Sequence, residues 1–150
     1  MANLSEEAWR AIPDAGQVAG SDVRVSLTRF ARAVMRILRV PGRVPASRLI
    51  VSEGARMPGL AEVFLANGPR RAVSGLAQLL ERYADAGTLK IDDPTEAAEH
   101  FIGMLRDDVF LEVLLGVRPP LGEKAWNARV TRAVDIFLDG TQAQWRPAAG

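Results

Sequence analysis

Cysteine is absent from the 150 residues, and that removes disulfides, thiolate zinc centres and cysteine nucleophiles together. Histidine is almost absent as well: His100 stands alone, which argues against a histidine-based metal site or a histidine-dependent triad. No segment reaches the roughly 18 consecutive apolar residues of a membrane span. The opening Met1-Ala2-Asn3-Leu4-Ser5-Glu6-Glu7 has neither the basic region nor the apolar stretch of a signal peptide, so a cytoplasmic location and no membrane partner are expected. With 48% hydrophobic and 25% charged residues, the composition is that of an ordinary globular chain. A chain of this length buries roughly 68–70% of its unfolded surface and can rest on one hydrophobic core.

Acids are missing from one long segment. Between Val23 and Ser52 there are seven arginines (Arg24, Arg29, Arg32, Arg36, Arg39, Arg43 and Arg48) and no acid, which leaves a net −6 on the rest of a +1 chain. Arginines neutralise phosphates, so nucleic acid is one reading of this segment. No helix-turn-helix, zinc module or aromatic RNA-binding strand accompanies them, which favours a solvated arginine face.

Proline and glycine divide the chain into helices. Ser5, Glu6 and Glu7 suit a helix start, but Pro13-Asp14-Ala15-Gly16 stops that segment, and Gln17 to Gly20 reads as a loop. Ser21 or Asp22 then caps a helix to about Val40. Its residues Val23, Leu27, Phe30, Val34, Ile37 and Leu38 form one apolar stripe at the 3.6 period, with Arg29, Arg32, Arg36 and Arg39 on another face. A shorter helix is expected from about Pro45 to Arg56. Pro58 suits the first turn of the next, and Gly68-Pro69 kinks or breaks it before Val73, Leu76, Leu79, Leu80 and Tyr83. Gly87 is a natural helix terminator. Leu89-Lys90-Ile91 reads as a lone extended turn with nothing nearby to pair with. Asp93-Pro94-Thr95-Glu96 opens a helix with a cap, a first-turn proline and a glutamate three residues on, and it should run to about Leu115 and stop at Gly116. The last helix is expected from about Glu123 to Asp139, closed by Gly140. Trp126, Val130, Ala133, Val134, Phe137 and Leu138 form its stripe. The fold class is therefore all-α, a bundle of about five to six helices: residues 1–20 are an approach segment, 21–140 the domain and 141–150 a loose tail.

Catalysis finds little footing. Ser26, Ser47, Ser52 and Ser74 lack a second histidine or a nucleophile elbow, and the neighbouring Asp107 and Asp108 point about 100° apart on a helix. His100 shares a helix face with Glu96 and Met104, with Asp107 one turn later. That is too small a set for a metal site, and lining a pocket is the functional alternative to a partly buried histidine satisfied by hydrogen bonds. Phe30, Met57, Phe64, Tyr83, Phe101, Met104 and Phe110 fit either a filled core or the lining of a cavity between helices.

The order of motifs carries a resemblance. Arg48 to Gly87 reads RLIVSEGARMPGLAEVFLANGPRRAVSGLAQLLERYADAG, followed by KIDDPTEAAEHFIGML and later by AVDIFLDG. The R-L-x-x-x-E helix, the P-x-L-A-x-x-F start, the Gly68-Pro69 kink, the D-D-P-x-x-A-A-x-x-F start and the final A-V-x-x-F-L-x-G resemble the C-terminal regulatory domain of TetR/AcrR-type repressors, in particular the AefR-like subgroup. The resemblance covers about Val23 to Gly140.

It implies a homodimeric domain that binds a small effector, needs no cofactor and is not an enzyme. DNA would be reached only through a helix-turn-helix that this sequence lacks, with Leu4 to Ile12 matching at most the end of the connecting helix. The implied pocket lies among Phe30, Val34, Ile50, Phe64, Leu80, Phe101 and Met104, with Glu53, Tyr83 or His100 giving polar contacts to an apolar or aromatic ligand. The implied dimer interface comprises Leu105, Trp126, Val130, Ala133, Val134 and Phe137, on a stripe where Trp126 looks exposed. A stand-alone helical adaptor domain is the alternative reading, and an enzyme on a bundle scaffold ranks last.

Overall fold

The computed structural model describes residues 22–141. The expected first helix near Ser5 to Ile12, the loop up to Gly20 and the tail beyond Thr141 lie outside these residues. Seven α-helices follow one another: α1 Val23–Leu38, α2 Arg43–Glu53, α3 Pro58–Asn67, α4 Pro69–Asp85, α5 Pro94–Leu105, α6 Asp108–Leu114 and α7 Glu123–Thr141.

Local chemistry explains most of the boundaries. The Asp22 carboxylate accepts from the backbone N–H groups of Arg24 and Val25, two donors that α1 would otherwise leave unsatisfied. Leu27, Phe30, Val34 and Ile37 of the expected stripe are buried, while Arg29, Arg32, Arg36 and Arg39 are exposed. Gly42 adopts a left-handed conformation (φ 86°) that turns the chain into α2, which begins two residues before the expected Pro45. Gly68-Pro69 breaks the helix outright, because Pro69 has no N–H to donate and takes the first position of α4. At the end of α4, Thr88 N–H reaches the Tyr83 carbonyl (2.9 Å) and Gly87 N–H the Ala84 carbonyl (2.9 Å), with Gly87 at φ 73°. That pattern is a Schellman termination, as Gly87 led one to expect.

Other features differ from the sequence reading. The segment after Asp93 is two helices rather than one, which makes seven among the described residues. Arg106 leaves helical geometry, and the Asp107 carboxylate caps the new start by accepting from Val109 N–H (3.1 Å). The last helix continues through Gly140 to Thr141, whose hydroxyl donates to the Phe137 carbonyl (2.7 Å). The turn at Leu89–Ile91 does find a partner, since Lys90 N–H donates to the Thr141 carbonyl (2.6 Å).

Helices α1, α4, α5 and α7 build the core. Phe30, Leu76, Leu80, Phe101, Val134 and Leu138 are sealed from solvent, and Phe101 meets Phe137 edge-on with ring centroids 5.2 Å apart. Polar links tie these helices at their margins: Ser26 and Tyr83 share a hydroxyl hydrogen bond (2.8 Å), Arg24 pairs with Asp135, and Arg129 pairs with Asp107. Helices α2 and α3 lie outside this core. Ser47 is the one buried residue in α2, and α3 has none. Leu49, Val51 and Val63 remain more than half exposed. One side chain anchors this outer layer to α6: Arg48 donates to the carbonyls of Leu114 (2.6 Å) and Val113 (3.1 Å), at the negative end of that helix.

Candidate functional site: a cavity with an arginine rim

Between the core and the outer layer is a cavity of about 40 Å³. Its apolar wall comes from Val34, Ile37 and Leu38 at the end of α1, Ala72 on α4, Ile102 on α5, Phe64 on α3 and Phe110 on α6. Polar lining is confined to Arg43, Ser47 and Arg106, and no acid contributes. The volume is enough for water and well short of the roughly 150 Å³ that accommodates a benzene ring.

Each arginine lies over an aromatic face. The Arg43 guanidinium carbon is 5.1 Å from the Phe64 ring centroid, and that of Arg106 is 5.1 Å from the Phe110 centroid. Burial lowers the pKa of Arg43, as does the like charge of Arg106; burial also lowers that of Arg106, although this residue is exposed at the rim. Both are cations at neutral pH. Among the described residues neither has an ion-pair partner, and the buried Arg43 Nε donates to nothing.

Of the residues expected to hold a ligand, the structure brings Val34 and Phe64 to this cavity. Phe30, Leu80 and Phe101 lie in the core, sealed from solvent. Ile50 and Glu53 are half-buried on α2 outside the lining, Tyr83 is engaged with Ser26, and His100 is exposed. Met104 instead borders a surface depression with Asp107, Arg129, Arg132, Ala133 and Ile136. Among the described residues, no three His, Cys, Asp or Glu side chains converge as metal ligands, and Asp107 is taken up by Arg129 and the α6 cap.

The stripe of Leu105, Trp126, Val130, Ala133, Val134 and Phe137 is turned into the single chain, each residue 7% exposed or less. Trp126, exposed-looking in sequence, is buried because α7 directs its main apolar stripe onto α1 and α5. The outward side of α7 carries Ile136, 54% exposed.

Sequence reasoning named Phe110 only as core or cavity lining, and it missed the polar lining altogether: Arg43, Ser47 and Arg106 were not singled out for the pocket, nor were Ile37, Leu38, Ala72 and Ile102 of the apolar wall. Arg43 is masked by the run of arginines around it. One signal marks it: it holds the first position of α2, where a cation opposes the helix dipole and no acid shares the turn.

Comparison with known proteins bears on this architecture. Residues 25–140 match the family described as AefR-like transcriptional repressor, C-terminal domain. The structure superposes on the Flavonoid-responsive Regulator FrrA with a TM-score of 0.78 and 31% identity, covering 94% of this chain and 70% of that one. It has the same fold as a TetR-family transcriptional regulator from Mesorhizobium loti MAFF303099 solved at 1.54 Å, with a TM-score of 0.81, 20% identity, and 93% and 70% coverage. No curated protein matches the chain. The match of residues 25–140, together with an all-α architecture shared with regulators rather than enzymes, shows that this chain belongs to the TetR-family regulators and carries their AefR-like C-terminal domain.

Proposed function

We propose that this chain is the effector-sensing and homodimerising part of a cytoplasmic TetR-family repressor, with DNA contacted through a helix-turn-helix rather than through this domain. The cavity under α2 and α3 carries the reading: it joins a rigid core to a layer that buries almost nothing of its own. A ligand lodged there would change the spacing of elements on either side, provided it binds one arrangement more tightly than the other. FrrA is by name responsive to flavonoids, and its 31% identity favours an aromatic effector here too. No described helix is long and apolar enough to cross a membrane.

The dimer, in this reading, forms through the outward face of α5 and α7 around Met104 and Ile136, since the deeper stripe is spent within the chain. A self-complementary patch of this kind closes a two-fold pair. Native mass spectrometry tests it: the chain should run near twice 16.3 kDa, and Ile136→Glu should shift it to monomer without loss of helicity. A wild-type monomer at micromolar concentration would overturn the dimer. For the pocket, Ala72→Leu and Phe64→Ala should alter the affinity for aromatic ligands, and unchanged affinity in both would move the site elsewhere.

A further inference from the structure

The charges around the cavity are unbalanced in one direction. Arg43 and Arg106 face it with no acid in the lining, and Arg43 Nε is a buried donor without an acceptor. Of the nearby acids, Glu62 pairs with Arg70, Glu112 with Arg118 and Asp107 with Arg129, while Asp108 is exposed and outside the lining. Two helix starts add to the positive potential. Neither α2, entered at Gly42, nor α4, entered at Gly68, has a side-chain cap on its free N–H groups. Arg43 reaches the start of α4 directly, for a Cβ added at Gly68 would lie 2.8 Å from its Nη2. An unpaired buried donor of one cation, beside a second cation and a helix terminus, is costly until an acceptor completes it, and an anion is the acceptor that also balances the charge.

We infer that the cavity takes a small aromatic acid, its ring between Phe64 and Phe110 and its carboxylate or phenolate at Arg43 and Arg106. This rests on the reading of the chain as an effector-sensing domain, and it adds the charge of the effector. The neutral body of the ligand meets the apolar wall of Val34, Ile37, Ala72 and Ile102. Room for the ring comes from displacing the outer layer. α3 buries no residue, so opening it sacrifices little apolar burial compared with opening the core. The Gly68 position, free of a side chain, leaves the Arg43 guanidinium its place beside α4.

Isothermal titration with a matched pair of probes, 2-naphthoate and 2-naphthalenemethanol, tests the inference on the intact chain. Wild type should bind the carboxylate about tenfold or more tightly than the alcohol, the factor expected of charge-assisted bonds to guanidinium. Arg43→Met and Arg106→Met should each erode that preference, and the double variant should abolish it, bringing the carboxylate down to the affinity of the alcohol. Unchanged helical circular dichroism shows that the variants are folded. Should Arg43→Met lose its helical circular dichroism, Arg43→Gln and Arg106→Met carry the same comparison. Equal affinity of wild type for the two probes would overturn the charge assignment and leave the effector pocket standing. A preference that survives the double variant would also overturn it, by placing the anion elsewhere. Binding of neither probe would overturn the effector pocket and the charge assignment together.

Discussion

Replacing Phe101 by alanine separates a core residue from a pocket residue. Its side chain is 0% exposed and meets Phe137 edge-on at 5.2 Å, with an interplanar angle of 69°. Truncating a sealed phenylalanine removes its burial free energy and leaves a void, together about 3–5 kcal/mol. The lost ring pair is worth about 0.5–1.5 kcal/mol of that. Domains of this size hold roughly 5–15 kcal/mol in all, so one substitution should remove about a fifth of the stability or more. Urea unfolding at a single protein concentration reads it as a lower midpoint at unchanged slope, the fixed concentration excluding any mass-action contribution from self-association. Phe137→Leu alone and in combination with Phe101→Ala should show a coupling of about 1 kcal/mol. A loss below about 1.5 kcal/mol for Phe101→Ala would mean that the ring borders open space, refuting the reasoning that assigns it to the core.

Tyr83→Phe should cost about 1 kcal/mol, because Ser26 keeps its bond to the Asp22 carbonyl when the phenol is removed; thermal unfolding checks it, and no change would mean water replaces the phenol. Asp107→Ala should cost about 1 kcal/mol as a lost cap and up to about 1 more as a lost partner of Arg129, whereas Asp107→Asn retains the cap and should lose the second part alone. The Arg70 hydrogen bond, then its charge, hold the Glu62 carboxyl below its ordinary pKa. Its contribution is complete above the unfolded value and disappears as pH falls through the lowered folded one. Carboxyl NMR titration should show the Glu62 midpoint rising in Arg70→Met, and an unmoved midpoint would dismiss the 2.5 Å pair as a feature of one side-chain arrangement.

The parts of this fold that can be read from sequence are those decided within a few residues. Asp22 and Asp93 announce their helices because a short carboxylate satisfies the N–H groups two and three positions on. Pro69 and Gly87 announce boundaries through a missing donor and a left-handed backbone. Asp107 has the same chemistry, yet it lies in an amphipathic run that a continuous helix would also satisfy, and only packing decides. Which face of α7 turns inward is likewise a tertiary matter: Trp126 and Ile136 are both apolar, and the partner helices α1 and α5 claim the first. The cavity was least legible. Phe30, Leu80 and Phe101 have the composition of a pocket wall and are simply close-packed, while Arg43, one of seven arginines in its segment, is drawn inward by Phe64 and the cavity.

Arg48 has a mechanical consequence. Its two bonds to the Leu114 and Val113 carbonyls act as a pinned strut between α2 and α6. Arg43 belongs to one end of that linkage and Phe110 to the other, on separate walls of the cavity. Any swing of α2 that keeps the strut drags α6 with it, so the walls travel as one lever instead of parting like a hinged door. A swing that breaks the strut would free α2 alone, and the persistence of the Arg48 bonds therefore sets the number of moving parts in the outer layer.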